Sequence, residues 1–354
     1  MKKLRIAQIA PLWFTVPPKK YGGIERVVAF LTDELVKRGH QVTLFAPPGS
    51  KTLGKLVTVY PKPLIEAGIS WSNPFWNLKN LSAAYKYAQN GKFDVIHSHL
   101  DLWTLYFQDL VNTPTVITLH NALYRSSFDP DENTRIKLFN EKRNNTNAVF
   151  ISKAMRKTTP VKFSNSQVIY NGIDVDGFKF NPRGGNHFVW VSRVDKYKGI
   201  ENVITAAERT GEKLLLAGRL DPSQKEYFNS RVKPHLNKKI QYVGELTGRE
   251  LSDFFGSAKA FLYPIEWEEP FGLVVAEAMA CGTPVIAYRR GSMPELIKDG
   301  KTGFLVNNMN ELIVAMGKVN RISRFAVRQH AENNFRKEQM TEKYEKLYYK
   351  LCGL

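Results

Sequence analysis

The feature that most constrains the fold of this chain is the alternation of short apolar runs with amphipathic stretches. Residues 4–10 form a strand-like run, a loop with Gly22 and Gly23 follows, and residues 24–37 have helical periodicity. Further strands are predicted at 41–45, 93–97, 114–119 and 147–151, and helices at 78–90 and 102–110. A helix between successive strands predicts a parallel, doubly wound α/β sheet.

The second half of the chain repeats this scheme after a polar linker that ends at residues 181–186. Strands are predicted at 187–192, 213–217, 240–243, 259–263 and 284–287, and helices at 200–209, 223–235, 248–256, 272–281 and 309–317. A length of 354 residues is typical of two domains. We predict two Rossmann-like domains, at 1–175 and 186–323, and a helical segment at 324–354 that packs back on the first domain.

The charge of the chain favours anionic partners without choosing among them. Lys and Arg number 51 against 33 Asp and Glu, a formal net charge of +18. No zinc spacing, Arg-rich tract or aromatic RNA-binding signature is present, so nucleic acid is not an expected partner. Two cysteines, the lack of a long apolar run and an N-terminus unlike a signal peptide predict a cytoplasmic protein. Its basic surface is compatible with peripheral contact at the inner face of the membrane.

Residues 269–284 place two carboxylates, Glu269 and Glu277, eight residues apart around a predicted helix start. Pro270 suits the first turn of a helix, and Gly272 lets a ligand approach backbone N–H groups. If the whole interval were helical, the carboxylates would lie about 12 Å apart along the axis. That is too far for a cooperating acid/base pair, so two separate contacts with one long ligand are favoured, against the alternative of a solvated Glu277 on an ordinary helix.

Other candidates lie just after predicted strands, where open α/β sheets bind ligands. Gly22 and Gly23 follow the first strand and allow close backbone approach to a phosphate, although two glycines also suit a plain turn. His120 follows the strand at 114–119, and His97 and His99 compete with it. A metal site built on His97, His99 and Asp101 lacks a fourth ligand, so no metal is expected.

Two cations, Arg193 and Lys198, lie between the first predicted strand and the first predicted helix of the second half. Fixed cations stabilise the negative charge that develops on a leaving diphosphate. The alternative is that both are ordinary solvated loop residues.

These motifs together resemble the retaining GT-B glycosyltransferases of family GT4, also called glycosyltransferase group 1. The resemblance covers nearly all of the chain. It is carried by Gly22-Gly23-Ile24-Glu25, residues 93–99, Thr118-Leu119-His120, Asn171-Gly172-Ile173-Asp174, Ser192-Arg193 with Lys198-Gly199, Val243-Gly244 and residues 269–284. It implies a GT-B fold, in which two doubly wound domains face a central cleft.

The resemblance also implies roles for individual residues. Glu269 is expected to contact donor sugar hydroxyls and Glu277 the ribose, while Arg193 and Lys198 hold the diphosphate. Backbone N–H groups at Phe271, Gly272 and Leu273 surround sugar and diphosphate, Gly22 and Gly23 form a mobile phosphate-side loop, His120 lies beside the reacting sugar, and Leu246 lies near the base. Of these, His120, Glu269, Arg193 and Lys198 are the expected catalytic residues. Enzymes of this kind need no metal or cofactor, and transfer sugar from a nucleotide sugar with retention at the anomeric carbon.

The acceptor is not identified by the sequence. It is expected to bind the first half near residues 11–22, 60–80 and 121–135, and a glycan, a small molecule or a lipid-linked acceptor would all be compatible. Aromatic side chains there could stack on a sugar or simply fill the core; these are Trp71, Phe75, Trp76 and Trp103. A UDP-sugar is favoured over GDP-mannose as donor. The alternatives are a GT-B epimerase or phosphorylase, and a basic protein that binds nucleic acid or membranes.

Overall fold

The computed structural model of the protein describes residues 2–123 and 130–354. The chain divides into two compact units. Unit 1 comprises Met1–Gly172 and Lys337–Leu354, and unit 2 comprises Ile173–Arg336. Each unit contains its own parallel sheet, as the alternation of strands and helices predicts.

In the described part of unit 1, seven parallel strands are arranged in the order β3-β2-β1-β4-β5-β6-β7. β1 has parallel neighbours on both sides, Ile6 pairing with Val42 and with Val95. Its residues after Arg5 are all buried, as is typical of a parallel sheet whose two faces are covered by helices. The strands are β1 (Arg5–Ile9), β2 (Gln41–Phe45), β3 (Lys55–Val57), β4 (Val95–Ser98), β5 (Thr115–Leu119), β6 (Asn147–Phe150) and β7 (Asn165–Val168).

Helices connect these strands and cover the sheet. α1 buries an apolar face that includes Val28 and Leu35, while Lys37 in its last turn is exposed. The helices of this part of the chain are α1 (Gly23–Lys37), α2 (Phe75–Gln89), α3 (Pro130–Lys142) and α4 (Lys153–Thr158), with 3₁₀ turns at Asp101–Tyr106 and Gln108–Leu110. The 3₁₀ turn at Val175–Gly177 already belongs to unit 2.

Unit 2 contains six described parallel strands in the order β10-β9-β8-β11-β12-β13. Numbered within the unit, this is the 3-2-1-4-5-6 order of a doubly wound sheet. The strands are β8 (Phe188–Val191), β9 (Leu214–Ala217), β10 (Ile240–Tyr242), β11 (Ala260–Tyr263), β12 (Val285–Tyr288) and β13 (Gly303–Val306). A core that includes Trp190, Leu216 and Leu262 lies between the sheet and its helices.

The helices of the second half are mostly short. They are α5 (Ile200–Thr210), α6 (Lys225–Tyr227), α7 (Gly248–Gly256), α8 (Leu273–Ala280), α9 (Met293–Leu296), α10 (Met309–Lys318), α11 (Arg324–Asn334) and α12 (Lys337–Leu351). Short 3₁₀ turns occur at Lys196–Lys198, Pro222–Gln224, Lys233–His235 and Val319–Arg321, and a π-helical turn at Phe228–Val232.

The C-terminal segment predicted at 324–354 divides between the units. α11 packs on α8 within unit 2, whereas α12 packs on α1 within unit 1. On α12, the Glu345 carboxylate accepts hydrogen bonds from Arg38 Nη1 at 3.0 Å and pairs with His40 Nε2 at 2.8 Å. Residues 324–336 therefore belong to unit 2, and the last helix belongs to unit 1.

Several elements differ from the sequence prediction. Strands β3, β7 and β13 were not predicted. Each is a short strand at the edge of its sheet, and β3 and β7 lack the buried apolar run of a central strand. The helix predicted at 223–235 is irregular, since Pro234 cannot donate the backbone hydrogen bond that a regular helix needs. The predicted 102–110 helix consists of 3₁₀ turns.

Candidate functional site

Glu269 is held in place by three hydrogen bonds to one carboxylate oxygen. Its Oε2 accepts from Lys198 Nζ at 2.8 Å, from Tyr263 OH at 2.9 Å and from Trp267 Nε1 at 2.9 Å. The Glu269 and Lys198 side chains are only 12% and 14% exposed. An ion pair shielded to this degree, with two further donors, fixes the carboxylate in one orientation.

Lys198 reaches Glu269 because of a tight turn after β8. Gly199 follows Lys198 with φ of 73°, and a Cβ there would lie 2.1 Å from the Pro264 carbonyl oxygen, so only glycine fits. The Lys198 ammonium also lies 4.2 Å from the centroid of the Trp267 ring. The structure therefore brings two predicted residues, 71 positions apart, into direct contact.

Arg193, the second predicted cation, lies on the same side of unit 2 at the end of β8. Its guanidinium is 3.5 Å from Asp195 Oδ2 and 4.0 Å from Asp221 Oδ2, and it is 37% exposed. Such long, solvated ion pairs contribute little to stability. The arginine is thus held loosely and can reorient toward an anion.

The backbone at Phe271, Gly272 and Leu273 forms the start of α8. Gly272 precedes the helix with φ of 88°, where a Cβ would meet Met293 Cε at 2.9 Å. Ser292 Oγ donates to the Phe271 carbonyl at 2.6 Å. The first N–H groups of a helix have no acceptor within it and attract anions.

The helix that carries Glu277, α8, starts later than the sequence prediction assumed. α8 begins at Leu273, so Glu269 and Pro270 precede it, and Pro270 is not in its first turn. The separation of about 12 Å, which required a helix over the whole interval, therefore does not apply. Glu269 projects from a loop, and only Glu277 is on the helix.

Glu277 and Leu246 occupy different environments in unit 2. Glu277 is fully buried in α8, which is rare for a carboxylate and typical of a residue with a specific role. Leu246 is half-buried in the loop after β10. Leu246 follows a strand end, whereas Glu277 lies within the helix that succeeds β11. Their roles in donor binding stay predictions.

In unit 1, Gly22 immediately precedes α1 and Gly23 is its first residue. Gly22 has φ of 149°, and a Cβ there would lie 2.8 Å from Pro18 Cβ. Glu25, in the first turn of α1, is 2% exposed, and burial raises its pKa to about 8. A neutral Glu25 leaves the positive end of α1 uncompensated, which favours an anion there.

His120 follows β5 as predicted and is hydrogen-bonded to His99, with His120 Nε2 lying 2.9 Å from His99 Nδ1. His99 Nε2 contacts Gln8 Oε1 at 3.0 Å. Since an amide oxygen only accepts, His99 carries its proton on Nε2 and accepts at Nδ1 from His120. Burial lowers the pKa of His120 to about 3, so it is neutral at pH 7, with an unprotonated Nδ1 that can accept a hydrogen bond.

His97 belongs to the same network and connects it to the last helix. Its Nδ1 lies 2.6 Å from Tyr348 OH, and its Nε2 lies 2.7 Å from Thr118 Oγ1. Tyr344 OH lies 2.8 Å from Thr118 Oγ1. His97 and His99 therefore support His120 instead of competing with it.

A metal site is not formed by these histidines. Within residues 2–123 and 130–354, no group of three or more His, Cys, Asp or Glu side chains is placed to hold a metal ion. Cys281 is buried, and burial raises the pKa of its thiol to about 12, as expected of a structural cysteine. None of the described helices combines the length and apolar composition that a membrane crossing requires.

Sequence reasoning missed the residues that hold Glu269 and the ends of α8. Tyr263 ends β11 and Ser292 follows β12, so the rule of strand ends could have found both. Arg324 gave no local signal, yet its guanidinium donates to Cys281 O at 3.4 Å and to Thr283 Oγ1 at 2.9 Å just after α8.

Comparison with known proteins agrees with this architecture. The chain is 26% identical over 327 residues to a phosphatidyl-myo-inositol mannosyltransferase of Mycobacterium tuberculosis, covering 86% of this chain and 82% of that protein. Among solved structures, sucrose-phosphate synthase of Thermosynechococcus elongatus has 21% identity, a TM-score of 0.82 and coverage of 99% and 100%. Anabaena HepE, solved with UDP and glucose, has 18% identity, a TM-score of 0.77 and coverage of 98% and 100%.

Two family descriptions match successive parts of the chain. Residues 21–176 match "Glycosyltransferase Family 4", and residues 176–320 match "Glycosyl transferases group 1". The matches meet where unit 1 gives way to unit 2 and together extend over both sheets. The chain belongs to the group 1, family 4 glycosyltransferases and is a glycosyltransferase of GT-B fold.

Proposed function

We propose that this enzyme transfers a hexose from a nucleotide sugar, with a UDP-sugar as the favoured donor, to an acceptor hydroxyl with retention of anomeric configuration and without a metal ion. The observation that carries the proposal is the Glu269 carboxylate, fixed by Lys198, Tyr263 and Trp267 just before α8. This grouping combines an acceptor for sugar hydroxyls with a cation and a helix N-terminus for the diphosphate.

In this mechanism the charge that develops on the leaving diphosphate is balanced by unit 2. Lys198 and the loosely paired Arg193 supply positive charge, and the first N–H groups of α8 supply dipoles. Such preorganised groups are the largest source of rate acceleration in many enzymes. In this proposal the two cations and the helix terminus take the place of a metal ion in stabilising the diphosphate.

The choice of a UDP-sugar is supported by Anabaena HepE, which was solved with UDP and glucose. The mycobacterial relative is named as a mannosyltransferase, which makes a mannose donor the competing choice. Thermal unfolding in the presence of UDP-, GDP- and ADP-sugars separates these donors. A shift with UDP-sugars is expected, and no shift with any nucleotide sugar would contradict the proposal.

The roles of the two glutamates can be tested separately. Glu277→Ala should weaken nucleotide-sugar binding, whereas Glu269→Gln, which keeps the shape but removes the charge, should lower kcat by about 10- to 100-fold. Glu266→Gln, an exposed side chain three residues before Glu269, is the control and should behave as wild type. Equal and negligible effects of the first two variants would refute these roles.

Two further readouts address the chemistry. Activity should survive EDTA, since the charge balance depends on Lys198 and Arg193. Proton NMR of the first product formed should show the anomeric configuration of the donor. An inverted product, or activity abolished by EDTA and restored by a divalent ion, would contradict the proposed mechanism.

A further inference from the structure

A cavity of about 250 Å³ lies in unit 1, entirely within the described residues. Each segment predicted to bind the acceptor contributes a residue to its lining: Trp13 from 11–22, Trp71 from 60–80 and Asn121 from 121–135. Residues 124–129 of the last segment lie outside the described part of the chain. His99 and His120 also line the cavity, so the buried histidine network opens onto it.

The walls of the cavity are aromatic. Trp13 and Trp71 have ring centroids 5.4 Å apart at an angle of 57°, and Trp103 contributes a third indole. Trp71 is 38% exposed, although the free energy of burial favours covering an indole. Phe75 and Trp76, also predicted as possible stacking residues, do not line it; Trp76 instead packs on Tyr60 with centroids 4.3 Å apart.

The charged side chains that the structure describes at the cavity are paired with one another. Arg135 is the only cation among its described lining residues, and it donates to Asp101 Oδ2 at 2.8 Å and to Glu132 Oε2 at 2.7 Å. A guanidinium already paired with two carboxylates offers no surplus charge to a phosphate. This pairing of the described charges contrasts with the net charge of +18 of the whole chain.

Asp101 has two unusual features. It is a non-glycine residue with φ of 47°, a conformation that costs free energy and is found at functional sites. Its Oδ1 is buried and has no hydrogen-bond partner among the described residues, and neither does Trp13 Nε1. Residues that line the cavity thus hold one buried acceptor and one buried donor without a described partner, groups that suit a ligand that carries hydroxyls.

We infer that this cavity is an acceptor subsite that binds an uncharged sugar ring, with the indoles against its apolar face and Asp101 and His120 toward its hydroxyls. The inference rests on the proposed function. The volume is slightly below the range of about 300 Å³ and more of drug-sized sites, which suits one sugar ring better than a larger group. Among the described lining residues no cation is without a carboxylate partner, and this disfavours an anionic headgroup such as an inositol phosphate.

The probes are methyl hexopyranosides and inositol 1-phosphate, with binding measured by saturation-transfer NMR on the full chain in the presence of UDP. We expect a methyl hexopyranoside to bind wild type, and Trp71→Ala to weaken it about tenfold. Phe75→Ala removes an aromatic ring that is 71% exposed but lies outside the cavity, so it is the matched control and should bind normally.

Asp101→Asn tests the charge argument by removing one of the two carboxylates that pair with Arg135. The variant leaves Arg135 paired with Glu132 alone, so it should bind the glycoside less well and gain affinity for inositol 1-phosphate. The inference is overturned if no glycoside binds wild type, if Trp71→Ala binds like Phe75→Ala, or if wild type prefers the phosphate.

Thermal shifts with UDP-sugars on the same samples separate this inference from the proposed function. Nucleotide-sugar binding that persists in Trp71→Ala while glycoside binding is lost supports the acceptor subsite. Nucleotide-sugar binding without any glycoside binding rejects the subsite alone, whereas loss of nucleotide-sugar binding by wild type rejects the proposed function.

Discussion

Replacement of Glu25 by Gln should remove a large pH dependence from the stability of unit 1. The Glu25 carboxyl is 2% exposed and lies in the first turn of α1. Burial is the main cause that raises its pKa from 4.5 to about 8, although hydrogen bonds from the backbone N–H groups of Glu25 and Phe14 oppose it. At neutral pH the native protein therefore holds a proton that the unfolded chain has released.

The size of the effect follows from proton linkage. The pKa is raised in the native state, so the stabilising effect of the bound proton is complete below pH 4.5 and is lost as the pH rises toward 8. This window is about 3.5 pH units wide, and each unit corresponds to about 1.4 kcal/mol. The free energy of unfolding should fall across it by an amount on the order of 5 kcal/mol.

Calorimetric unfolding of wild type and Glu25→Gln at pH 5 to 9 measures this difference. Relative to the variant, the transition of wild-type unit 1 should fall by about 10 °C between pH 5 and pH 8 and then level off. Glu66→Gln, which replaces a 53% exposed carboxylate, is the control and should track wild type. Parallel pH profiles of wild type and Glu25→Gln would refute the assignment of a buried, neutral Glu25.

Two further substitutions test the backbone of α8 and the histidine network. Gly272→Ala should destabilise unit 2 by about 1–3 kcal/mol in denaturant unfolding, because φ is 88° and Met293 Cε would lie 2.9 Å from the new methyl group. The control is Gly317→Ala, in an uncrowded part of α10, which should not destabilise the protein. Equal effects of the two variants would contradict the argument. Tyr348→Phe removes a hydroxyl that lies 2.6 Å from His97 Nδ1 and should cost about 1–3 kcal/mol. Unchanged stability, together with unchanged histidine ¹⁵N shifts, would refute a role for the network.

The fold followed from local sequence patterns to a large extent. The strand at 41–45 and the helix near 24–37 were predicted almost to the residue, since each pattern repeats over several positions. The doubly wound class is confirmed by two parallel sheets. Strand β3 was missed because Lys55–Val57 is an edge strand without a buried apolar run and is held by its pairing with β2.

For the candidate site, the sequence indicated residue types and strand ends, but the contacts came from the folded chain. Lys198 and Glu269 were assigned to different parts of one ligand, and the structure shows that they also pair with each other. The start of α8 at Leu273 was decided by the glycine before it and the packing of Met293, not by Pro270. The assigned roles of these residues in catalysis and donor binding stay predictions.

By itself, the sequence determined the alternation of strands and helices, the two-sheet class and the strand ends where candidate side chains lie, because all of these depend on periodicity and on the geometry of parallel sheets. Only the tertiary structure decided that Tyr348 supports His97 and that Trp13, Trp71 and Asp101 share a cavity. These contacts join segments separated by tens to hundreds of residues. They are set by how helices and loops pack across a sheet, and the local periodicity of a chain carries no record of that packing.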